Sequence, residues 1–196
     1  MRTSLYALAI AALALGWTSA AEAQIRHYED RPIEVNVHAG GISVDGGDTE
    51  LLAGGRLAYN MPSGFGIGGN FDWVQVGDDQ GDITLYLYSA DVSYTFPSDN
   101  QLHFFVSGGV GAATFSFDDE LEDLGAESQT ELAIPLGGGV KWFNRVDNPT
   151  WGIRADVKDH IIVQGDQEVG AVTVEGETTN NFEFSAGVSF FLGGGM

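Results

Sequence analysis

Phe182-Glu-Phe-Ser-Ala-Gly-Val-Ser-Phe-Phe-Leu192 alternates along its length. Successive side chains of a strand point to opposite sides, so Phe182, Phe184, Ala186, Val188, Phe190 and Leu192 share one face and Glu183, Ser185, Gly187 and Ser189 the other. A sheet in water can alternate too. Here the apolar face is rich in aromatics and the polar face is small and charged, which suits a strand with lipid on one side and a packed lumen on the other. The stretch reads as the closing strand of a transmembrane barrel.

Working back from it, seven more segments have strand character, near residues 33–44, 51–60, 65–76, 83–96, 102–117, 130–143 and 150–163. Phe65, Ile67, Gly69, Phe71 and Trp73 oppose Gly66, Gly68, Asn70 and Asp72; Tyr86, Tyr88, Ala90, Val92, Tyr94 and Phe96 oppose Ser89, Asp91, Ser93 and Thr95. Leu132, Ile134, Leu136, Val140 and Trp142 oppose Gly137, Gly139 and Lys141, and Trp151, Ile153, Ala155 and Val157 oppose Gly152, Arg154, Asp156 and Lys158. Tyr94, Phe96, Trp142 and Trp151 lie at strand ends, where an interfacial aromatic girdle belongs. In the fifth segment Phe105, Phe115 and Phe117 have the opposite parity from Phe104 and Val106, which predicts a bulge or an exit from the membrane before Phe115.

The connections alternate in kind. Asn60-Met-Pro-Ser-Gly64, Pro97-Ser-Asp-Asn100 and residues 144–149 are short and carry the Pro, Asn, Ser and Gly of tight turns. Those near 45–50, 77–82, 118–129 and 164–180 are longer on average and hold Asp and Glu without Lys or Arg. Short and long links in alternation predict an up-and-down meander with short turns on the periplasmic side and acidic loops outside.

The start of the chain reads as an export signal: Arg2, an apolar run from Leu5 to Trp17, then Ala21-Glu22-Ala23 as an A-x-A cleavage site. The expected organisation is a cleaved signal over 1–23, a periplasmic segment over 24–32, a barrel over 33–192 and a tail over 193–196. No apolar run reaches the roughly 20 residues of a spanning helix, so any membrane crossing must be made by strands. With no cysteine, disulfides, thiolate metal sites and cysteine nucleophiles are excluded together.

The formal charge is −20. That excludes nucleic acid as a partner, because no basic patch meets phosphates. Most of the acids fall in the proposed outer loops. The acids read first as solvation of the loops; Asp118, Asp119, Glu120, Glu122 and Asp123, or Asp78 and Asp79 with Asp82, are the secondary reading, a Ca²⁺ or Mg²⁺ site with hard oxygen ligands but without EF-hand spacing. No other cofactor is expected. On the lumen faces Arg56, Lys141, Arg154 and Lys158 meet Glu34, Asp72, Asp91, Asp156 and Glu183. Eight strands enclose only enough room for side chains, so these groups should form a paired network that fills the barrel, the alternative being a narrow ion conduit.

Catalytic patterns are sparse. His27, His38, His103 and His160 are far apart in sequence, and the local group Asp156, Lys158, Asp159 and His160 lacks a G-x-S-x-G or comparable nucleophile. Gly108-Gly-Val-Gly111 and Gly137-Gly-Gly139 lie within strands, not ahead of helices, and are no phosphate loops.

Ser185, Gly187, Phe190 and Leu192 resemble the C-terminal assembly signal of bacterial outer-membrane proteins, here followed by Gly193-Gly194-Gly195-Met196 in place of a terminal Phe. With the leader, the alternating strands and the unequal connections, the mature chain resembles the OmpA/OmpX-like small outer-membrane β-barrels over nearly its whole length. That resemblance implies an all-β, eight-stranded antiparallel barrel with both termini periplasmic, inserted by the barrel assembly machinery among outer-membrane lipids and lipopolysaccharide. A non-enzymatic structural or surface-interaction role toward an extracellular ligand is expected. A narrow pore, a lipid-modifying enzyme and a soluble lipocalin-like barrel with its apolar face inward are the alternatives.

Overall fold

The computed structural model describes residues 25, 27–43, 47–78, 81–117, 128–163, 167–169, 172–174 and 178–193. A single turn of helix, α1 (His27–Asp30), precedes β1 (Ile33–Ser43), β2 (Thr49–Asn60), β3 (Phe65–Asp78), β4 (Gly81–Thr95), β5 (Leu102–Phe117), β6 (Gln129–Phe143) and β7 (Trp151–Val163). A small hairpin of β8 (Gln167–Val169) and β9 (Val172–Val174) comes next, then β10 (Thr178–Leu192). Eight strands close in the order β1-β10-β7-β6-β5-β4-β3-β2, every neighbour antiparallel. The expected leader, residues 1–23, lies outside the described residues.

The register fixes the shape. Stepping from partner to partner, Ile33 leads to Tyr59, Ile67, Val92, Gly108, Leu136, Asp159, Phe182 and back to β1 at Ser43. One circuit therefore climbs ten residues along β1. With ~3.3 Å per residue against eight strands ~4.8 Å apart, that stagger tilts the strands by about 40°. Closure leaves no edge strand in the barrel, and hydrocarbon has no water to satisfy an open one. No helix among the described residues is long and apolar enough to cross a membrane.

Alternation sorts the side chains. Leu57, Phe104 and Val157 point outward with 60–61% of their surface exposed, whereas Glu34, Asp72 and Glu183 point inward at 0%. An arrangement greasy outside and charged inside would be unstable in water, which removes the lipocalin-like alternative. At the end where β1 begins and β10 finishes, Trp142 meets Trp151 at a ring-centroid distance of 5.7 Å, and Tyr94 stands between Phe65 at 5.0 Å and Phe96 at 5.1 Å.

The structure departs from the sequence reading in three places. Strands reach further toward the loops: β3 runs to Asp78, β4 starts at Gly81 and β10 at Thr178, so Glu50, Asp78 and Asp82 are strand residues. Backbone pairing continues after the apolar alternation that marks the membrane has stopped. The stretch 164–180 is not wholly a loop, since it contains the β8-β9 hairpin. And β5 has no bulge: it holds one register with β4 from Thr95↔Phe105 to Ile83↔Phe117. Phe105 and Phe115 turn inward instead, Phe105 at 2% exposure and Phe115 against an apolar cluster inside the barrel.

Inward glycines make room for these rings. A Cβ on Gly139 would overlap the Ala155 carbonyl oxygen and come within 3.0 Å of the Phe105 ring. Outward Gly69 has only an ordinary 3.7 Å contact with the Ser89 carbonyl. Gly139→Val should therefore cost about 1–3 kcal/mol of stability, read as a lower urea midpoint in detergent micelles, while Gly69→Ala should stay within ~0.5 kcal/mol of the parent.

Candidate functional site: a layered lumen

The lumen is built in three layers along the barrel axis. At the end where β1 begins and β10 finishes, Ile25, Tyr28, Phe143 and Phe191 form a buried cluster. The segment before β1 reaches back into the mouth: the Ile25 N–H donates to Pro62 O at 2.7 Å, and Tyr28 lies against Phe143 and Phe191 at ring-centroid distances of 6.4 and 6.5 Å. His103 stands edge-on to Phe143 at 4.9 Å. Arg31 fastens the segment outside, donating from Nε to Asn148 Oδ1 at 2.5 Å and from a terminal nitrogen to Phe191 O at 3.1 Å. Burial, reinforced by the nearby Glu34 carboxylate, pushes the Tyr28 phenol above its ordinary value, so it stays neutral there.

The middle layer holds the charges. The structure places Glu34, Arg56, Asp72, Asp91, Lys141, Arg154, Asp156, Lys158 and Glu183 all in buried, lumen-facing positions. Glu34 accepts from Lys141 Nζ at 2.7 Å, Ser189 Oγ at 2.8 Å and Asn60 Nδ2 at 3.1 Å, with Arg154 at 3.8 Å. Arg154 grips Asp156 through two bonds of 2.7 Å, and its guanidinium lies 4.0 Å from the Phe105 ring centre. Arg56 pairs with Asp91. Lys158 donates to both oxygens of Glu183 at 2.9 and 3.1 Å, and Glu183 also meets His160 Nε2 at 2.7 Å and Ser185 Oγ at 2.7 Å. His38 bridges to Asp72 at 2.6 Å.

Above the charges, toward the loops, the lumen turns apolar. Ile42, Leu52, Val74, Leu85, Leu87, Ala113, Ala133 and Ile162 form a buried cluster. The expectation that paired charges alone fill the barrel is thus corrected: they occupy its middle, between two apolar layers. Asp91, whose Oδ1 accepts no hydrogen bond from the described residues, lines a void of ≈ 10 Å³ with Asn70, Ser107 and Lys158, room for about one water.

The other candidates fall as follows. Asp156, Lys158 and His160 do share a face, but Asp156 is committed to Arg154, and Lys158 and His160 to Glu183, while Asp159 has the outward parity. In the assembly stretch, Ser185 is buried and bonded, Gly187 faces inward with the His38 Cβ against it, and Phe190 and Leu192 point outward. Asp118, Asp119, Glu120, Glu122 and Asp123 lie outside the described residues, as does Asp79. Inside the barrel the ligand atoms of His38, Asp72 and Glu183 lie within 4.8 Å of one another. The 2.6 Å between His38 Nε2 and Asp72 Oδ1 is a hydrogen-bond length, shorter than the ~3.3 Å that two ligands of one tetrahedral zinc keep, and Glu183 is already held by Lys158 and His160.

Sequence reasoning missed His38 and its neighbours Asn36, Asn70 and Ser189. The signal was available in parity, since Asn36 and His38 share the inward face of β1 with Glu34. Because the Glu34 carboxylate is fully buried, Lys141→Met should cost ~3–5 kcal/mol by leaving it without its closest cation. Adding Glu34→Gln should recover much of that loss. Urea unfolding of the single and double variants, followed by the mobility difference between boiled and unboiled samples, measures both.

Comparison with known proteins agrees with this architecture. The outer membrane protein beta-barrel domain family matches residues 7–190. Among solved structures, Neisserial surface protein A superposes with a TM-score of 0.61 at 15% identity, covering 82% of this chain and 96% of its own. The outer membrane protein OprG of Pseudomonas aeruginosa gives 0.53 at 13% identity, covering 84% and 98%. The N-terminal β-barrel domain of Pseudomonas aeruginosa OprF gives 0.51 at 15%, covering 83% and 99%. At such identities the likeness is one of fold. No curated protein matches in sequence. The chain belongs to the outer membrane protein beta-barrel domain family, an eight-stranded barrel of the cell outer membrane.

Proposed function

We propose that this protein is a non-conducting, non-enzymatic barrel whose work is done outside the membrane, by its acidic loops, in a structural or surface-interaction role. The observation that carries the reading is the layered lumen. A conduit needs a continuous wet path, whereas here paired charges lie between an aromatic layer and an aliphatic one. The similar Neisserial protein is by name a surface protein, which is in keeping with this reading.

On this reading residues 1–23 are removed after Ala23, residues 24–32 seat in the periplasmic mouth, and residues 33–192 are inserted by the barrel assembly machinery through the last strand. The loops then stand among lipopolysaccharide headgroups. Both surfaces are anionic, so contact between them calls for bridging divalent cations.

Purified protein in planar bilayers should give no conductance steps, while replacing residues 118–127 by a short Gly-Ser linker should leave the heat-dependent mobility shift intact and abolish binding of cells to whichever surface the parent engages. Stepwise conductance from the parent barrel that changes selectivity on replacing Arg154 or Asp156 would overturn the reading in favour of a pore. Lipid A modification lost on replacing His160 would do so in favour of an enzyme.

A further inference from the structure

The buried charges of the lumen do not balance. Among the described residues five buried carboxylates, Glu34, Asp72, Asp91, Asp156 and Glu183, face four permanent cations, Arg56, Lys141, Arg154 and Lys158. Each cation has its nearest acid elsewhere than Asp72: Lys141 at Glu34, Arg56 at Asp91, Arg154 at Asp156 with Glu34 beyond it at 3.8 Å, and Lys158 at Glu183. Asp72 is left with Asn70 Nδ2 on one oxygen and His38 Nε2 on the other. An uncompensated carboxylate at 0% exposure would cost several kcal/mol.

The hydrogen-bond chain beside it says where the missing charge resides. Ser189 Oγ has one proton and gives it to Glu34 at 2.8 Å, so it can only accept from Asn36, whose Nδ2 lies 3.0 Å away. That fixes the Asn36 amide with its Oδ1 toward His38 Nδ1 at 2.8 Å, and an amide oxygen accepts, so Nδ1 carries a proton. In a neutral imidazole Nε2 would then be a bare lone pair facing a carboxylate oxygen at 2.6 Å. Two lone pairs do not hold that distance; a proton must lie between them. Asn70 Nδ2 donates to the other Asp72 oxygen, so the carboxylate is set as an acceptor on both sides, which assigns the proton to His38.

We propose that the barrel contains a proton-binding site at His38 and Asp72, in which a bound proton, as a His38 imidazolium, is the fifth cation that neutralises the lumen. The inference goes beyond the surface role and holds whether or not the loops bind anything. The groups around the site agree with it. Asn36 from β1 orients the ring, Asn70 from β3 orients Asp72, and the Glu183 carboxylate from β10 is within 4.8 Å. Lys158 and His160 from β7 are turned onto Glu183. From β2, Arg56 pairs with Asp91 through one terminal nitrogen and makes no ion pair with Asp72 among the described residues, and Gly54 lies directly beneath the bridge. A Cβ on Gly54 would overlap Asp72 Oδ1 and stand 2.7 Å from His38 Nε2, so the strand between β1 and β3 is open where the two side chains meet above it.

The charge balance makes an asymmetric prediction. His38→Gln keeps a hydrogen-bond donor but removes the cation, so its urea midpoint in micelles should fall well below the parent's. Asp72→Asn removes the unmatched carboxylate, leaving four acids with four bases, and should stay close to the parent; combined with His38→Gln it should restore the midpoint. Imidazole ¹⁵N spectra of the refolded parent near neutral pH should show both nitrogens of His38 protonated, and those of Asp72→Asn one protonated and one bare. A parent His38 with a bare nitrogen, or a His38→Gln variant as stable as the parent, overturns the proposal. Should His38→Gln fail to refold at all, the spectra of the parent and Asp72→Asn decide.

Discussion

A ladder of eight strands closed with a ten-residue stagger encloses a space that only side chains can fill, and the rest of the molecule follows from that. Whatever faces inward must serve as its own solvent. Charged groups are therefore admitted with partners, as in the set of bonds that Glu34 accepts from Lys141, Ser189 and Asn60. Large rings are admitted opposite glycine, as with Phe105 over Gly139. Where the strands approach the loops, aliphatic groups take over, and at the other mouth Tyr28 enters from outside the barrel to complete the packing.

Much of this was legible in the chain. The alternation of β10 gave both faces of the closing strand, and parity alone put all nine charged residues on the inward side, because a period of two is unforgiving of error. What escaped the pattern has physical reasons. The inward Ile42, Leu52, Val74, Leu85 and Leu87 follow an alternation that has lost its contrast, apolar on both faces, so no periodicity separates lumen from lipid there. The parity of Phe105 and Phe115 reads as a defect only if lumens are assumed to be polar. The seat of Ile25 and Tyr28 depends on contacts with Pro62, Phe143 and Phe191, far away in sequence, and no local signal carries it. His38 lay on the predicted face, yet its importance emerges only when every buried acid is matched with its base.

The fold and the role are legible to different degrees. The barrel fold is shared with proteins at 13–15% identity, so its backbone ladder accommodates very different sequences. The lumen chemistry depends on particular residues on particular strands, as where Glu34 of β1 meets Lys141 of β6 and Ser189 of β10. Function in such a fold belongs to what is grafted onto it.

The seam between β1 and β10 also governs the order in which the molecule can come into being. Ile33 pairs with Leu192, Glu34 accepts from Lys141 across 107 residues and from Ser189 across 155, so these inward bonds join parts of the chain that are synthesised far apart in time. Before the last strand arrives, an open sheet would turn the charges of the future lumen toward lipid with their partners missing. Each added strand thus raises the cost until closure relieves it at a stroke, and a topology of this kind folds slowly and all at once. Kinetically, a half-made barrel has nowhere to rest.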